Sequence, residues 1–459
     1  MKKVLFLILW LITWIASAQE LRLKKGIIVD SVSVKVSDSV AYSYALYLPK
    51  KFEKNEATGV VFIFDPRAKG KEGLQPFVAA AEVYNLILIG SNNSRNGAYQ
   101  ENLKIFSDIS DHVFSHFKID RDQLYLSGFS GGSRLATAIG VVSNEIDGVI
   151  GCGAGFPISE PLNPKENKYP YIGVVGNADF NYLEMRDGKK YLDNLKIDNE
   201  LLVFDGGHVW PPSTILIQAV GWLRVLSHNR GVLQLSKESM ERQYQQHLAF
   251  AEELLENKEW SMAYNAYNRL IKNYQGHFEV RELKDTLKQI RKEKAYKEYK
   301  REENRYLLEE RDMRATYLEF FNEDVTEAVL DNLGYWEAEM KKLKIFQNHA
   351  SASKRLMGKR LSNLLLILAI ETRNAYNLQE HVEKLLFLNE FLVMLKPDYH
   401  EPYIDLMKVY VKKGEYQNAL GALEQLFMNG YKDKDRLYRT EGIALLRVFP
   451  EFKEILDKY

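Results

Sequence analysis

One segment of the 459-residue chain places a serine where it could act as a nucleophile. Ser130 lies in Gly-Phe-Ser-Gly-Gly, the G-x-S-x-G pattern of a serine on a sharp strand-to-helix turn. A hydroxyl held there becomes reactive when a neighbouring base removes its proton. The five-residue pattern alone is weak, but the apolar run 124–126 before it favours a strand entering such a turn. Ser130 is therefore the candidate nucleophile.

Two further loops could supply the base and the acid that orients it. His208 follows two glycines, which give a catalytic ring freedom of approach, and Asp179 ends an earlier loop with the sequence Gly-Asn-Ala-Asp. Both residues have alternative structural roles: the histidine could cap a strand, and the aspartate could cap the next helix. Asp205 is the second choice for the acid, and Asp187 has the character of a surface residue. The three candidates predict transfer of an acyl group through a serine ester.

Alternating strands and helices must position these residues. Between residues 31 and 230, short apolar runs alternate with amphipathic stretches of helix length, which indicates a mostly parallel sheet covered by helices. Residues 31–36 and 41–48 form an opening antiparallel pair. The predicted buried strands are 60–64, 86–89, 124–126, 148–150, 171–175 and 201–204, and the predicted helices are 74–84, 99–117, 132–142, 182–195 and 214–226. Functional loops then gather at the carboxyl ends of the strands.

Residues 40–228 resemble an α/β-hydrolase. The chain order serine, acid, histidine is the order found in that fold. The stretches Gly128–Gly132 and Gly206–Pro211 (Gly-Gly-His-Val-Trp-Pro) are similar to the polyhydroxybutyrate depolymerase and feruloyl esterase branch. The resemblance covers under half of the chain. It implies an acyl-enzyme on Ser130 and leaves the substrate open.

One loop departs from that family's pattern. Members often carry a His-Gly pair after the third core strand, where a backbone amide helps to bind the oxyanion. This chain has Phe64-Asp65-Pro66-Arg67-Ala68 instead, and proline has no amide hydrogen to donate. We expect Gly131 to be one oxyanion donor, with Arg67 or Ala68 as the second. Either this loop is rebuilt or the activity is low.

Clues to the substrate are fewer. Trp210 could form a wall of the acyl pocket or could simply pack, and Asn92 could bind a sugar or peptide or belong to a plain polar loop. Only about a dozen residues separate the sixth and seventh strands, so no large lid is expected, and an open site suits bulky or polymeric esters more than buried lipid tails. The expected substrate is an ester-containing small molecule or polymer. No metal is expected, because His112 and His116 lack the H-E-x-x-H pattern. No cofactor is expected, because the G-x-G-x-x-G and G-x-x-x-x-G-K-S/T patterns are absent.

After residue 230 the sequence becomes helical and charged. Residues 279–321 predict one or two long helices, and the apolar run 364–370 predicts a buried helical segment. Two segments share a spacing that resembles tetratricopeptide repeats, although unrelated helical hairpins would explain it too; they are Trp260, Ala263, Tyr267, Leu270 and Tyr416, Ala419, Leu423, Leu426. The repeat interpretation implies a protein or peptide partner.

The N-terminus has the pattern of an export signal. Residues 1–18 combine two lysines, an apolar run too short to span a bilayer and the small-residue end Ala16-Ser17-Ala18. We expect cleavage there, no transmembrane segment afterwards and a periplasmic or secreted protein. Equal numbers of basic and acidic residues, 62 each, argue against a nucleic-acid partner. The single cysteine, Cys152, excludes an internal disulfide, and its apolar surroundings predict a small buried residue.

Together these features predict three segments: a signal peptide at 1–18, an α/β-hydrolase domain at 19–230 and a tetratricopeptide-like helical domain at 231–459. The predicted activity is that of a serine hydrolase, favouring carboxylic esters. A serine peptidase with the same triad is one alternative. A hydrolase fold that binds or scaffolds without catalysis is the other, because the Asp65-Pro66 departure permits it.

Overall fold

A computed structural model describes residues 24–37 and 40–459; the expected signal peptide lies outside these residues. The described part contains eight strands in one sheet. They are β1 Ile28–Lys35, β2 Ala41–Tyr47, β3 Thr58–Phe64, β4 Leu86–Ser91, β5 Ile119–Phe129, β6 Gly148–Cys152, β7 Tyr171–Gly176 and β8 Asn199–Phe204.

The strand order along the sheet is β1-β2-β4-β3-β5-β6-β7-β8. Strand β2 pairs antiparallel with β1 and β4, whereas β3 pairs parallel with β4 and β5, and β5 pairs parallel with β6. Every residue of β3, β4, β6 and β7 is buried, as expected of strands covered on both faces. The predicted fold class, a mostly parallel sheet covered by helices and followed by an all-helical region, is confirmed.

The helices of the sheet region lie close to their predicted positions. They are α1 Gly70–Leu74, α2 Val78–Tyr84, α3 Tyr99–His116, α4 Gly131–Val142, α5 Tyr182–Asn194 and α6 Ser213–Asn229. The predicted helix 74–84 is divided, because Pro76 lies in a short 3₁₀ turn, Gln75–Phe77, between α1 and α2. Proline cannot donate the backbone bond that a continuous helix needs there.

The rest of the described chain is helical. Its elements are α7 Lys237–Glu256, α8 Trp260–Tyr274, α9 Arg281–Lys292, α10 Lys294–Glu327, α11 Leu333–Gln347, α12 Ala352–Ala375, α13 Val382–Leu395, α14 Glu401–Lys413, α15 Tyr416–Met428, α16 Lys434–Arg439 and α17 Pro450–Lys458. Side-chain oxygens of Ser236 and Ser351 accept backbone N–H bonds at the starts of α7 and α12. Gly414 ends α14 in the left-handed conformation.

The two segments with shared spacing lie on α8 and α15, each the second helix of a hairpin. Their small residues, Ala263 and Ala419, are fully buried, which lets the paired helices approach closely. Assignment to tetratricopeptide repeats stays a prediction. The run 364–370 lies within α12, where Leu365 and Ala369 are fully buried, as expected.

By internal contacts, the chain forms two compact units. The first comprises the described residues up to 172 together with 195–198 and 210–234. The second comprises 173–194, 199–209 and 235–459, so it includes α5, β8 and the loop after β8 as well as α7–α17. The proposed domain limits at 19–230 and 231–459 stay predictions. Among the described residues, no helix is both long and apolar enough to cross a membrane.

Candidate active site

Ser130 occupies a sharp turn between β5 and α4 in the first unit. Its backbone angles, φ 53° and ψ −120°, are unusual for a non-glycine residue, and α4 begins at the next residue, Gly131. The Ser130 N–H donates to the carbonyl of Cys152 at 2.8 Å, which ties the turn to the end of β6. This strained strand-to-helix turn is the geometry that the G-x-S-x-G pattern predicts.

Two glycines allow the turn to close. A Cβ atom at Gly128 would collide with the backbone of Gly132, and one at Gly132 would collide with the carbonyl of Phe64 on β3. The backbones of β5, α4 and β3 therefore approach more closely than any side chain would permit. The turn therefore depends on glycine at both of these nearby positions.

The loop after β3 is organised by a buried carboxylate. Asp65 is only 1% exposed; one of its oxygens accepts the Arg67 N–H at 2.9 Å, and the other accepts the indole N–H of Trp210 at 3.2 Å. Ala68, at φ 60°, donates its N–H to the Asp65 carbonyl at 3.1 Å. Sequence reasoning treated this segment as a departure and missed Asp65 as its organiser. The signal was a carboxylate directly after a fully apolar strand.

These bonds bear on the predicted oxyanion donors. The amides of Arg67 and Ala68 both donate within their own loop. Gly131 lies at the first position of α4, where backbone amides have no partner inside the helix. A Cβ atom at Gly131 would collide with the side-chain amide of Asn96, so that amide lies directly beside Gly131. The oxyanion roles of Gly131 and Arg67 stay predictions.

The two residues proposed to bind substrate have structural partners. Trp210 packs on Phe129, with ring centroids 5.3 Å apart, besides its bond to Asp65. The Asn92 side chain accepts the Gly70 N–H at 3.1 Å and donates to the Asp30 carbonyl at 2.9 Å. It thereby joins the first turn of α1 to the strand β1. Their contact with a substrate stays a prediction.

Asp179 and His208 form a close pair in the second unit. Nδ1 of His208 lies 3.0 and 2.9 Å from the two carboxylate oxygens of Asp179. Asp179 is fully buried, and the His208 side chain is 17% exposed. Because a carboxylate only accepts hydrogen bonds, this contact places a ring proton of His208 on Nδ1.

The alternative role for Asp179, as a cap of the next helix, also has support in the structure. One oxygen of Asp179 accepts the Asn181 N–H at 2.8 Å, directly before α5, so the aspartate orders the helix start as well as the imidazole. The ring of Phe180 lies 4.4 Å from that of His208 and limits its movement. Asp205, the second choice, is exposed and accepts a bond from Asn177. Asp187 is a surface residue paired with Arg311.

A cavity of about 380 Å³ within the second unit borders the histidine loop (residues 205–208). Asp205, Gly206 and Gly207 form one side, and Lys359 and Asn363 on α12 form part of the other. A Cβ atom at Gly207, one residue before His208, would meet nothing within 4 Å. Helices remote in sequence therefore line open space beside the candidate base.

Cys152 is a structural residue. Its side chain is fully buried, and burial raises the pKa of the thiol to about 12. A thiol with such a pKa stays protonated at neutral pH and is a poor nucleophile. In the described part of the chain, no group of three or more His, Cys, Asp or Glu residues could hold a metal ion.

The described residues form one mostly parallel eight-stranded sheet with helices, followed by a helical region. No family model matches the chain, and no curated protein matches it. Among solved structures it is similar to FphF, a fluorophosphonate-binding serine hydrolase of Staphylococcus aureus, with 13% identity, a TM-score of 0.38, and coverage of 44% of this chain and 99% of that one.

Two further structures have comparable likeness. The S-formylglutathione hydrolase FrmB of Staphylococcus aureus has 14% identity and a TM-score of 0.36, covering 44% of this chain and 98% of that one. Est1E from Butyrivibrio proteoclasticus has 14% identity and a TM-score of 0.34, covering 44% of this chain and all of that one. Likeness of this degree does not assign an activity.

Proposed function

We propose that the protein is a serine hydrolase that cleaves carboxylic esters through an acyl-enzyme on Ser130. The observation that carries the proposal is the Asp179–His208 pair, in which a buried carboxylate fixes the tautomer of the ring. The strained turn at Ser130 supports it, because such turns present a hydroxyl above a sheet edge.

In the proposed reaction, Nε2 of His208 removes the hydroxyl proton as Ser130 Oγ attacks the ester carbonyl. Asp179 stabilises the imidazolium that forms, and the amide of Gly131 donates to the oxyanion. The tetrahedral intermediate then collapses, and the alcohol leaves with the proton from His208. Water, activated by the same imidazole, releases the acid and restores Ser130.

The first test is labelling with a fluorophosphonate, which reacts with activated serines. We expect the wild-type protein to be labelled and Ser130→Ala to be unlabelled. Ser133→Ala is the matched control, because this nearby serine is buried and donates to the Ala154 carbonyl. Failure of folded wild-type protein to react would favour the non-catalytic binding or scaffold protein instead.

A substrate panel separates esterase from peptidase. Short-chain nitrophenyl esters, feruloyl sugar esters and peptide amides would be compared by kcat/KM. We expect esters to be hydrolysed and amides to be inert, and preferential cleavage of the amides would establish the peptidase. We also propose that the cavity beside Gly207 receives the alcohol part of the substrate, since Lys359 and Asn363 offer donors there. Lys359→Ala should then raise KM for feruloyl sugars while leaving nitrophenyl acetate turnover unchanged.

Export and the role of the helical region belong to the proposal as well. We propose that residues 1–18 are removed and that the mature protein is periplasmic or secreted; N-terminal sequencing should find Gln19 first. We further propose that the helical region has tetratricopeptide-like hairpins that bind a protein or peptide partner. Co-purification of one defined partner, lost on changing exposed residues of α14 and α15, would test this.

A further inference from the structure

Two arginines of the helical region hold the loop that carries Asp179. Nη1 of Arg360, on α12, donates to the Asn177 carbonyl at 2.7 Å. Nη1 of Arg314, on α10, donates to the Phe180 carbonyl, also at 2.7 Å. All of these residues belong to the second unit. The bonded carbonyls lie on either side of Asp179, so the loop is held at two points.

The guanidinium of Arg360 is itself fixed by a buried partner. Arg360 is 3% exposed and Glu310, on α10, is fully buried. Nε of Arg360 lies 3.0 Å from both Glu310 oxygens, and Nη2 also binds this carboxylate. Arg314 lies 3.9 Å from the same carboxylate. A planar guanidinium bound in this way keeps its remaining N–H in one direction, towards the loop.

Asn177, whose carbonyl accepts the Arg360 bond, links two loops. They are the acid loop (residues 177–181), which carries Asp179, and the histidine loop. The side chain of Asn177 donates to Asp205 at 3.0 Å and accepts the Gly206 N–H at 3.3 Å. The next residue, Ala178, donates its N–H to the Gly206 carbonyl at 2.8 Å. A displacement of Asn177 would therefore move both Asp179 and the segment that leads into His208.

We infer that Arg360 and Arg314, oriented by Glu310, are positioning residues for the Asp179–His208 pair. The helical region then orients the proposed catalytic pair, in addition to its proposed role in binding a partner. This inference rests on the proposed function for its catalytic consequence. Its geometric content, the orientation of His208 by Asp179, can be measured without any substrate.

The same unit offers a matched control. Arg186 on α5 and Glu303 on α10 form another ion pair of limited exposure, at 2.9 Å. Both also bond to the Tyr182 hydroxyl. These bonds join them to each other and to the Tyr182 side chain. Removal of this pair should cost stability in a similar way while leaving the arginine bonds to the Asn177 and Phe180 carbonyls in place.

The experiment compares full-length double variants. Arg360→Met with Glu310→Leu removes both charges, so that no buried carboxylate is left unpaired. Arg186→Met with Glu303→Leu is the control. We expect kcat of the first variant to fall on the order of 10- to 100-fold with KM little changed, since small displacements of catalytic groups have effects of this size. The control should keep the wild-type kcat.

Arg360→Lys separates positioning from stability. A lysine keeps the charge beside Glu310 but lacks the planar fork that reaches both the carboxylate and the Asn177 carbonyl. We expect the melting temperature to recover towards wild type while kcat remains low. A structural role alone would restore both together.

Proton NMR supplies the readout that does not need activity. The Nδ1 proton of a histidine bonded to a carboxylate gives a separate downfield resonance, which His208→Gln would identify. We expect this resonance to shift or broaden in the Arg360/Glu310 variant and to be unchanged in the control. An unchanged resonance would overturn the inference, even if fluorophosphonate labelling and ester hydrolysis confirm the proposed function. A shifted resonance in a protein without hydrolase activity would support the positioning role and reject the proposed function.

Discussion

The turn at Ser130 and the Asp179–His208 pair are held in different ways. The turn at Ser130 depends on two neighbouring glycines, since Gly128 and Gly132 permit the close backbone approach that shapes it. The Asp179–His208 pair depends on residues far along the chain: Arg360 is 183 positions from the carbonyl that it binds. The proposed nucleophile thus lies in a short motif, whereas the loop of the proposed acid bonds to a second, distant set of side chains.

The largest expected effect comes from changing the acid of the Asp179–His208 pair. Asp179→Asn should lower kcat by about 10⁴-fold, because an amide no longer holds the histidine in the useful tautomer. The melting temperature should change little, since an asparagine oxygen can still accept the Asn181 N–H. Asp205→Asn is the control and should retain activity. The reverse result would make Asp205 the acid.

A substitution in the turn at Ser130 should act through packing. Gly132→Ala would force a methyl group against the Phe64 carbonyl, and we expect a loss of about 1–3 kcal/mol in unfolding free energy, as in other overpacked cores. Fluorophosphonate labelling should fall as well, because the turn must open. Gly421→Ala on α15, where a Cβ meets nothing within 4 Å, should be neutral or slightly stabilising. Chemical denaturation of both variants makes the measurement, and equal losses would contradict the packing explanation.

The free energy of unfolding should depend on pH through Asp147, which directly precedes β6. Burial raises the pKa of Asp147 from its ordinary 3.8 to about 6, although the Leu124 N–H partly offsets this. The folded state therefore binds the proton more tightly than the unfolded state, and this stabilisation is complete below about pH 4 and is lost as the pH rises through 6. After allowance for solvent screening, we expect a change of about 1–2 kcal/mol.

Asp147→Asn tests this effect, because an amide cannot ionise but can still accept the Leu124 N–H. The variant should lose less stability than the wild type between pH 4 and pH 7 in thermal melts. Asp111→Asn, at an exposed position on α3, serves as the control. Parallel profiles for wild type and Asp147→Asn would show that Asp147 does not titrate in this range.

The smallest expected effect concerns the loop after β3. Trp210→Phe keeps an aromatic ring beside Phe129 but removes the indole N–H that Asp65 accepts. We expect a loss of about 1 kcal/mol in stability, the usual net value of one hydrogen bond to a buried group. A modest fall in kcat/KM should accompany it if this loop takes part in oxyanion binding. Unchanged kcat/KM would assign Trp210 to packing alone.

Much of this could be predicted from the sequence, because its signals are local. Apolar runs and helical spacing located the strands and helices, and the glycines around Ser130 predicted its turn. Pro76 divided a predicted helix through its missing amide, which the periodicity of neighbouring residues does not reveal. Asp65 and Asn92 were interpreted from their positions in loops, yet Trp210 and Gly70, which bond to them, come from other elements.

Arg360 and Arg314 could not have been found in this way. They occur in charged amphipathic helices, where most arginines face solvent, and only tertiary contacts distinguish these two from the others. Glu310 is equally inconspicuous among the many acidic residues of α10. Long-range ion pairs leave no periodic trace in a single sequence.

The bond from Arg360 to Asn177 also limits how the gene for this protein can recombine. A crossover near codon 230 that joined the sheet region to a different helical region would separate residues 176–181 from the arginines that bind them. The resulting hybrid would keep its nucleophile motif intact but inherit an acid loop without those donors. Residues 177–180 and positions 310, 314 and 360 should therefore be inherited together and vary together among descendants of this gene.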